Sequence, residues 1–224
     1  MINQDDLNYL QNTLYFWDKL SKIQQKKIIQ NTINITYLKG ENIYNPNKKC
    51  LGILLIKKGE LRTYILSEDG KEVSLFRLND NDICILSSSC ILKNITFDVY
   101  IDCEKETEVL LINSSTFSEL ITENVYIENF ILRNTVDKFS SVMWTIEQIL
   151  FMKLDTRLAI FLLDESIKLN TTHIKITHEQ IGKYIGSARE VVSRMLKYFE
   201  QENIVSLSRG TIDIIDKDKL KNLI

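Results

Sequence analysis

The sequence predicts an α+β fold. An N-terminal antiparallel β-roll, a cupin-like jelly roll with flanking helices, precedes a long helix and a C-terminal winged helix-turn-helix. Three observations lead there. Residues 35–112 carry short β-branched and aromatic runs separated by turn residues, the texture of an antiparallel roll rather than a parallel sheet. A stretch from Tyr126 to Met152 contains neither Gly nor Pro. The last third then holds two short helical patterns either side of a glycine, followed by a small hairpin.

Taken in order, residues 5–33 read as helices, with Leu20, Ile23, Ile28 and Ile29 on one apolar side. In the roll, "LRTYIL" and "KEVSLFRL" flank Ser67-Glu68-Asp69-Gly70, a hairpin signal, and "NDND" at 79–82 marks another turn. With one proline and seven glycines in the chain, Asn and Asp must supply many turns. Along the Gly-free stretch, Leu132, Val136, Phe139, Met143, Ile146 and Leu150 recur at spacings of 4, 3, 4, 3 and 4. That is a heptad seam, although a core-facing helix gives a similar pattern. A helix of this length spans roughly 40 Å at about 1.5 Å per residue, more than a small roll can cover, so a second copy of the chain is the expected partner. "DTRLAIFLLDESI" is an amphipathic helix, "HIKIT" a short strand, and "IVSLSRGTIDIID" two strands around Ser208-Arg209-Gly210. The expected domains are 1–123 (roll), 124–152 (long helix) and 153–224 (winged unit).

At 224 residues the chain can bury a real core, and 44% hydrophobic with 26% charged residues is ordinary for a soluble protein. No apolar run approaches the roughly 20 residues that span a bilayer. The N-terminus, "MINQDDLNYL", is acidic and polar rather than a signal peptide. The expectation is a cytoplasmic protein without a membrane partner. Net charge is −2, but from Lys153 onward Lys and Arg outnumber Asp and Glu by 12 to 10, against 16 to 20 before it. No nucleophile has an adjacent base, and His173 and His178 both fall outside the roll, where capping and solvent exposure suit them better than metal ligation. No catalytic or metal-holding set is expected, and no enzyme. Cys50, Cys84, Cys90 and Cys103 contain no C-x-x-C pair and read as four small buried residues.

The stretch "THEQIGKYIGSAREVVSRMLKYFEQENIV" is the most informative. Thr177 and Gln180 form a capping box, Ile181 and Ile185 turn inward, and Gly186 can end the first helix in the left-handed conformation. After a short turn through Ser187, a second helix begins near Ala188 and buries Val192, Met195, Leu196 and Phe199. Arg189, Glu190, Ser193, Arg194 and Lys197 fall on its other side. An arginine fork can donate two hydrogen bonds to guanine, and a glutamate can accept from cytosine N4. A glutamate among phosphates makes sense only if it touches a base. A surface salt-bridge cluster, Glu190 with Arg194 at i, i+4, is the competing explanation.

With the wing "SRGTIDI" after it, this segment resembles the C-terminal domain of the Crp/Fnr family of bacterial transcription regulators, and the similarity extends over the chain. The resemblance implies that Arg189, Glu190 and Arg194 read bases and that Ser193 touches a base or methyl group. Ser187, Ala188, Thr177, Gln180, Lys197 and Arg209 would complete the surface on double-stranded DNA. It further implies a homodimer on a palindromic operator with a TGA-like core in each half-site, and RNA polymerase as a further candidate partner. A ligand-binding regulatory module without DNA function is the alternative.

The sensor half departs from the family. Cyclic-nucleotide binders carry a Gly-Glu cassette followed by Arg-Ser/Thr; here Ile85-Leu86 and Phe97-Asp98 stand near those places. A phosphate would meet a carboxylate and no cation, so cyclic AMP is not the expected effector. An Fnr-like iron–sulfur cluster is not expected either, because no cysteine precedes residue 50. What remains is "CILSSSCIL", with Cys84, Leu86, Ser87, Ser88, Ser89, Cys90 and Phe97 as candidate effector-pocket residues. Three readings stay open: a structural turn over a vestigial pocket, cysteine-based redox or haem sensing, and a small effector held by hydroxyls and backbone N–H groups.

Overall fold

A computed structural model describes residues 2–88 and 98–224. The described residues form two compact units, one within residues 2–69 and 75–142 and one of residues 70–74 and 143–224.

The first unit begins with helices α1 (Gln4–Thr13) and α2 (Lys22–Gln30), each opened by a capping box, at Asn3/Asp6 and Ser21/Gln24. Strands β1 (Thr32–Tyr37), β2 (Asn42–Tyr44), β3 (Gly52–Lys58), β4 (Leu61–Leu66), β5 (Glu72–Leu78), β6 (Ile83–Cys84), β7 (Tyr100–Cys103) and β8 (Thr107–Asn113) follow. They form two four-stranded sheets, ordered β1-β8-β3-β6 and β2-β7-β4-β5, with every described pairing antiparallel. Helix α3 (Ser114–Glu123) and the long α4 (Val125–Phe151) come next, the residues of α4 from 143 onward belonging to the second unit.

The period-2 geometry of the central strands explains why β3 and β8 read as continuous apolar runs. Ile53 and Leu55 of β3, with Leu110 and Ile112 of β8, point to a core shared with α1, α2, α3 and the start of α4. Leu54, Ile56 and Val109 point the other way, into a core with Leu61, Leu75, Leu78, Ile101 and Cys103 of the facing sheet. Phe130 of α4 sits in the helical layer at 5.0 Å from Phe16, edge to face.

The second unit contains α5 (Leu154–Leu169), β9 (His173–Lys175), α6 (His178–Ile185), α7 (Arg189–Gln201), β10 (Val205–Ser208), β11 (Thr211–Ile214) and α8 (Lys217–Lys221). Its three strands form an antiparallel sheet in the order β10-β11-β9. Leu158 and Leu162 of α5, Ile181 of α6, Val192, Leu196 and Phe199 of α7, Ile212 of β11 and Leu220 of α8 share one core.

Three expectations need correction. Ile23 does not share the apolar side of its neighbours: it is 81% exposed, whereas Leu20 and Ile28 are buried. At 100° per residue Ile23 lies 140° round the helix from Ile28, so the face that buries Ile28 in the core leaves Ile23 in solvent. The helices also end sooner than residue 33. Thr32, Ile33 and Ile35 already pair in β1 with Ile112, Leu111 and Val109, as suits a β-branched run. Finally, the cysteines are not alike. Cys84 and Cys103 are free and buried, but Cys50 is disulfide-bonded. Cys90 lies outside the described residues.

Candidate nucleic-acid interface

Helix α6 is held at both ends by devices that the sequence encodes. Thr177 caps its start: the Oγ1 accepts from the Gln180 N–H at 3.2 Å, and the Gln180 side chain accepts from the Thr177 N–H at 3.0 Å. The oxygens of both side chains are thus used within the cap. Gly186 ends the helix at φ 64°, a conformation that costs an L side chain strain. Arg157 of α5 donates from Nη1 to the Ile185 carbonyl at 2.7 Å, placing a cation on the helix C-terminus. Burial lowers the Arg157 pKa from its ordinary value.

The turn into α7 is tight because Gly182 makes room for it. The Ser187 N–H donates to the Gly182 carbonyl at 2.9 Å. A Cβ on Gly182 would lie 2.6 Å from the Ser187 carbonyl oxygen. Sequence reasoning missed this residue and Arg157. The available signal for Gly182 was a glycine inside an otherwise helical pattern, away from any turn position.

Helix α7 follows Ala188, its N-cap with extended backbone, and buries Val192, Leu196 and Phe199 with Met195 partly covered. Arg189, Glu190, Arg194 and Lys197 are exposed on the opposite side, and Ser187 is half-buried in the turn. Ser193 is different: it is half-buried, and its Oγ lies 2.8 Å from Nδ1 of His178, the first residue of α6. Burial first, then the charge of Arg189, lowers the His178 pKa from 6.5, so its ring is neutral at neutral pH. The wing turns at Arg209 and Gly210, both exposed. Between wing tip and helices lies a cleft of about 400 Å³, lined by Thr177, His178, Glu179, Arg189, Ser208, Arg209 and Gly210. Two arginines, a histidine and a glutamate thus line one opening, a set of residue types that can meet phosphates and the donor-acceptor pattern of base edges.

The heptad residues of α4 are all open in the single chain. Leu132, Val136, Phe139, Met143, Ile146 and Leu150 are 39–67% exposed. At 100° per residue they fall within a stripe about 80° wide.

The candidate effector turn is less open. Cys84, Leu86 and Ser87 are all buried. The Ser87 hydroxyl donates to the Gly52 carbonyl at 2.6 Å, so it is engaged inside the fold. Burial pushes the Cys84 thiol up. Ile85 sits in the core under the helices and Leu86 in the core between the sheets. Ser89, Cys90 and Phe97 lie outside the described residues, as does the Ser88 side chain. Among the described residues, no group of three His, Cys, Asp or Glu side chains gathers as a metal site would require. Among the described residues no helix is long and apolar enough to cross a membrane.

Comparison with known proteins agrees with this geometry. Residues 156–223 match the Crp-like helix-turn-helix domain, and residues 34–124 match the cyclic nucleotide-binding domain. A crystal structure from Eubacterium rectale, assigned to the crp/fnr family of transcriptional regulators, superposes with a TM-score of 0.92. It is 44% identical, and the match covers 95% of this chain and 99% of that one. The cAMP-activated global transcriptional regulator CRP of Salmonella typhimurium is 26% identical over 182 residues, 79% of this chain and 86% of its own. FixK2 from Bradyrhizobium japonicum shares the fold, at a TM-score of 0.67 and 19% identity over 86% of this chain and 96% of its own. The Crp-like match accounts for the C-terminal third, which a ligand-binding module alone would leave unexplained. An Arg-Glu-x-x-Ser-Arg run on the second helix with both arginines and the glutamate exposed, a wing and a roll, together with these matches, place this chain in the Crp/Fnr family: it is a DNA-binding transcription regulator with a cyclic-nucleotide-binding-like domain.

Proposed function

We propose that the protein acts as a homodimer that binds an inverted-repeat operator with a TGA-like core in each half-site. The open apolar stripe of α4 pairs with the same stripe of a second copy, related by a two-fold axis. Each α7 then enters the major groove of one half-site, with successive half-sites about one helical turn, roughly 34 Å, apart. Arg189 and Arg194 donate to guanine, Glu190 accepts from cytosine N4, and Ser193 meets a further base edge. Lys197, Arg209, Ser187, Ala188, Thr177 and Gln180 face the DNA backbone, where contacts hold register without reading sequence. The observation that carries this reading is the joint exposure of Arg189, Glu190 and Arg194 on one face of a helix whose other face is fully packed.

The roll detects a signal other than cyclic AMP. Ile85 and Leu86 are buried apolar residues at the cassette position, where the family places Gly-Glu. Control then takes the form of a shift between two dimer arrangements, which requires a ligand or modification that differs in affinity for them. A thiol-based signal is favoured by one observation, the disulfide at Cys50. The expected place of action is the cytoplasm, with RNA polymerase as a further partner.

Selecting bound DNA from a random pool, with and without reductant, tests both parts. A palindrome is expected. Arg189→Ala should remove preference for it while leaving weak, salt-sensitive binding. A wild-type protein without sequence preference under every redox condition would defeat the proposal. Selection that is identical with and without reductant would defeat the thiol signal alone.

A further inference from the structure

Resting on the reading of α7 as the base-reading helix, we propose that His178 is a positioning residue for sequence recognition. It holds Ser193 through Nδ1, which accepts the hydrogen bond of the Ser193 hydroxyl, so that Ser193 offers a base an acceptor oxygen.

Ser193 stands between Glu190 and Arg194 in the reading face, yet unlike them it is not free in solvent. Its Oγ has one partner, the His178 ring at 2.8 Å, from a residue 15 positions earlier in the chain. Thr177 sets that ring in place: the cap fixes the first turn of α6, and His178 is its first residue. A serine hydroxyl on an open helix face rotates among three staggered wells and can donate or accept. A neighbouring imidazole ends that ambiguity.

Which polarity results depends on the tautomer. The ring is neutral at neutral pH, since burial and Arg189 both disfavour the cation. Nδ1 is the nitrogen nearer the backbone. It therefore lies closest to the first turn of α6, where N–H groups carry partial positive charge. That field favours a lone pair there rather than an N–H. The Ser193 O–H then donates to Nδ1, and the serine oxygen keeps its lone pairs outward. An outward acceptor suits cytosine N4 or adenine N6, both donors in the major groove, and disfavours guanine O6 and N7. His178 also lines the cleft beside Arg189 and Arg209, with Glu179 the carboxylate facing it, so the assembly stands at the DNA side of the domain.

Two measurements test the assignment. The first needs no DNA: the imidazole nitrogens of His178 are observed by NMR in the full-length protein and in Ser193→Ala. An unprotonated, hydrogen-bonded Nδ1 whose resonance moves on Ser193→Ala is expected. A protonated Nδ1, or a resonance indifferent to Ser193, overturns the proposal. The second compares single-base variants of the selected operator. His178→Phe and Ser193→Ala should each reduce discrimination at one base pair by about five- to tenfold, the scale of one hydrogen bond. The double variant should lose no more than either alone, and His178→Gln, which restores an acceptor, should recover part of the preference. A His178→Phe effect that persists in the Ser193→Ala background, or that weakens all sequences alike with a lowered melting temperature, overturns the proposal. Failure of the wild type to select any sequence would instead sink the function on which this inference rests, leaving the NMR result to stand by itself.

Discussion

Phe139 offers the sharpest test of the helix-mediated dimer. It lies mid-seam on α4 and is 63% exposed in the single chain. Fully burying a large apolar side chain is worth about 1.5–3 kcal/mol, so covering the open six-tenths contributes roughly 1–2 kcal/mol per copy. A two-fold interface counts each residue twice. Phe139→Ala should therefore weaken the dimer by about 2–4 kcal/mol, a rise of roughly 30- to 900-fold in its dissociation constant. Asp137→Ala is the control, because Asp137 lies two residues away and about 160° round the same helix, also exposed. Sedimentation equilibrium over a dilution series measures both. Loss of dimer should bring loss of affinity for the full operator but not for an isolated half-site. A wild type that stays monomeric across the series, or equal dissociation by the two variants, would refute the pairing argument.

Three further outcomes are expected. Gly182→Ala places a methyl against the Ser187 carbonyl and should cost about 1–3 kcal/mol as the turn is forced apart, seen as a melting temperature several degrees lower with weaker operator binding; an unchanged melt would show that the turn yields freely. Asp6 accepts from Lys57 Nζ at 2.8 Å, the Asn3 N–H at 3.1 Å and Asn34 at 2.9 Å. Burial alone would raise its pKa, but the hydrogen bonds from Lys57, Asn3 and Asn34 together with the Lys57 charge outweigh it and hold the value below 3.8. Because the folded pKa is depressed, the stability it contributes is present above the ordinary carboxylate range and lost as pH falls through the folded value. Asp6→Asn should thus cost about 1–3 kcal/mol in urea denaturation at pH 7, and the gap from wild type should close in strong acid. Cys84 and Cys103 should resist alkylation at pH 8 until the protein unfolds, since burial raises both thiols, Cys103 to about 11. Rapid labelling of either in the folded state would contradict their place in the core.

Much of the candidate site was legible because its determinants are local. A capping box spans three residues, a left-handed cap needs one glycine, and the buried face of α7 follows from i, i+3 and i+4 spacing within thirteen residues. The β4–β5 hairpin was equally plain, since Ser67 to Gly70 is turn chemistry between alternating runs. Ile23 misled because it was grouped with Leu20, Ile28 and Ile29 on one apolar side, while only part of the nine-residue helix α2 faces the core. Cys50 misled because nothing in its neighbours distinguishes it from Cys84 or Cys103.

Apart from the close approach of Ser187 to Gly182, the pairings left unseen join residues distant in sequence. His178 and Ser193 are 15 residues apart and Arg157 and Ile185 are 28 apart. Ser87 and Gly52 are 35 apart. No periodicity brings such pairs together. By itself the sequence determined the order of elements, the heptad stripe, the capped helix pair and the face on which the arginines stand, because hydrophobic spacing and backbone preferences act over a few residues. Only the tertiary structure decided that Ser193 is tied to an imidazole, that the Ser87 hydroxyl is turned inward, and that a glycine must underlie the turn. Those outcomes depend on packing, where a hydroxyl's partner or a methyl's clash is set by whichever segment the fold brings alongside.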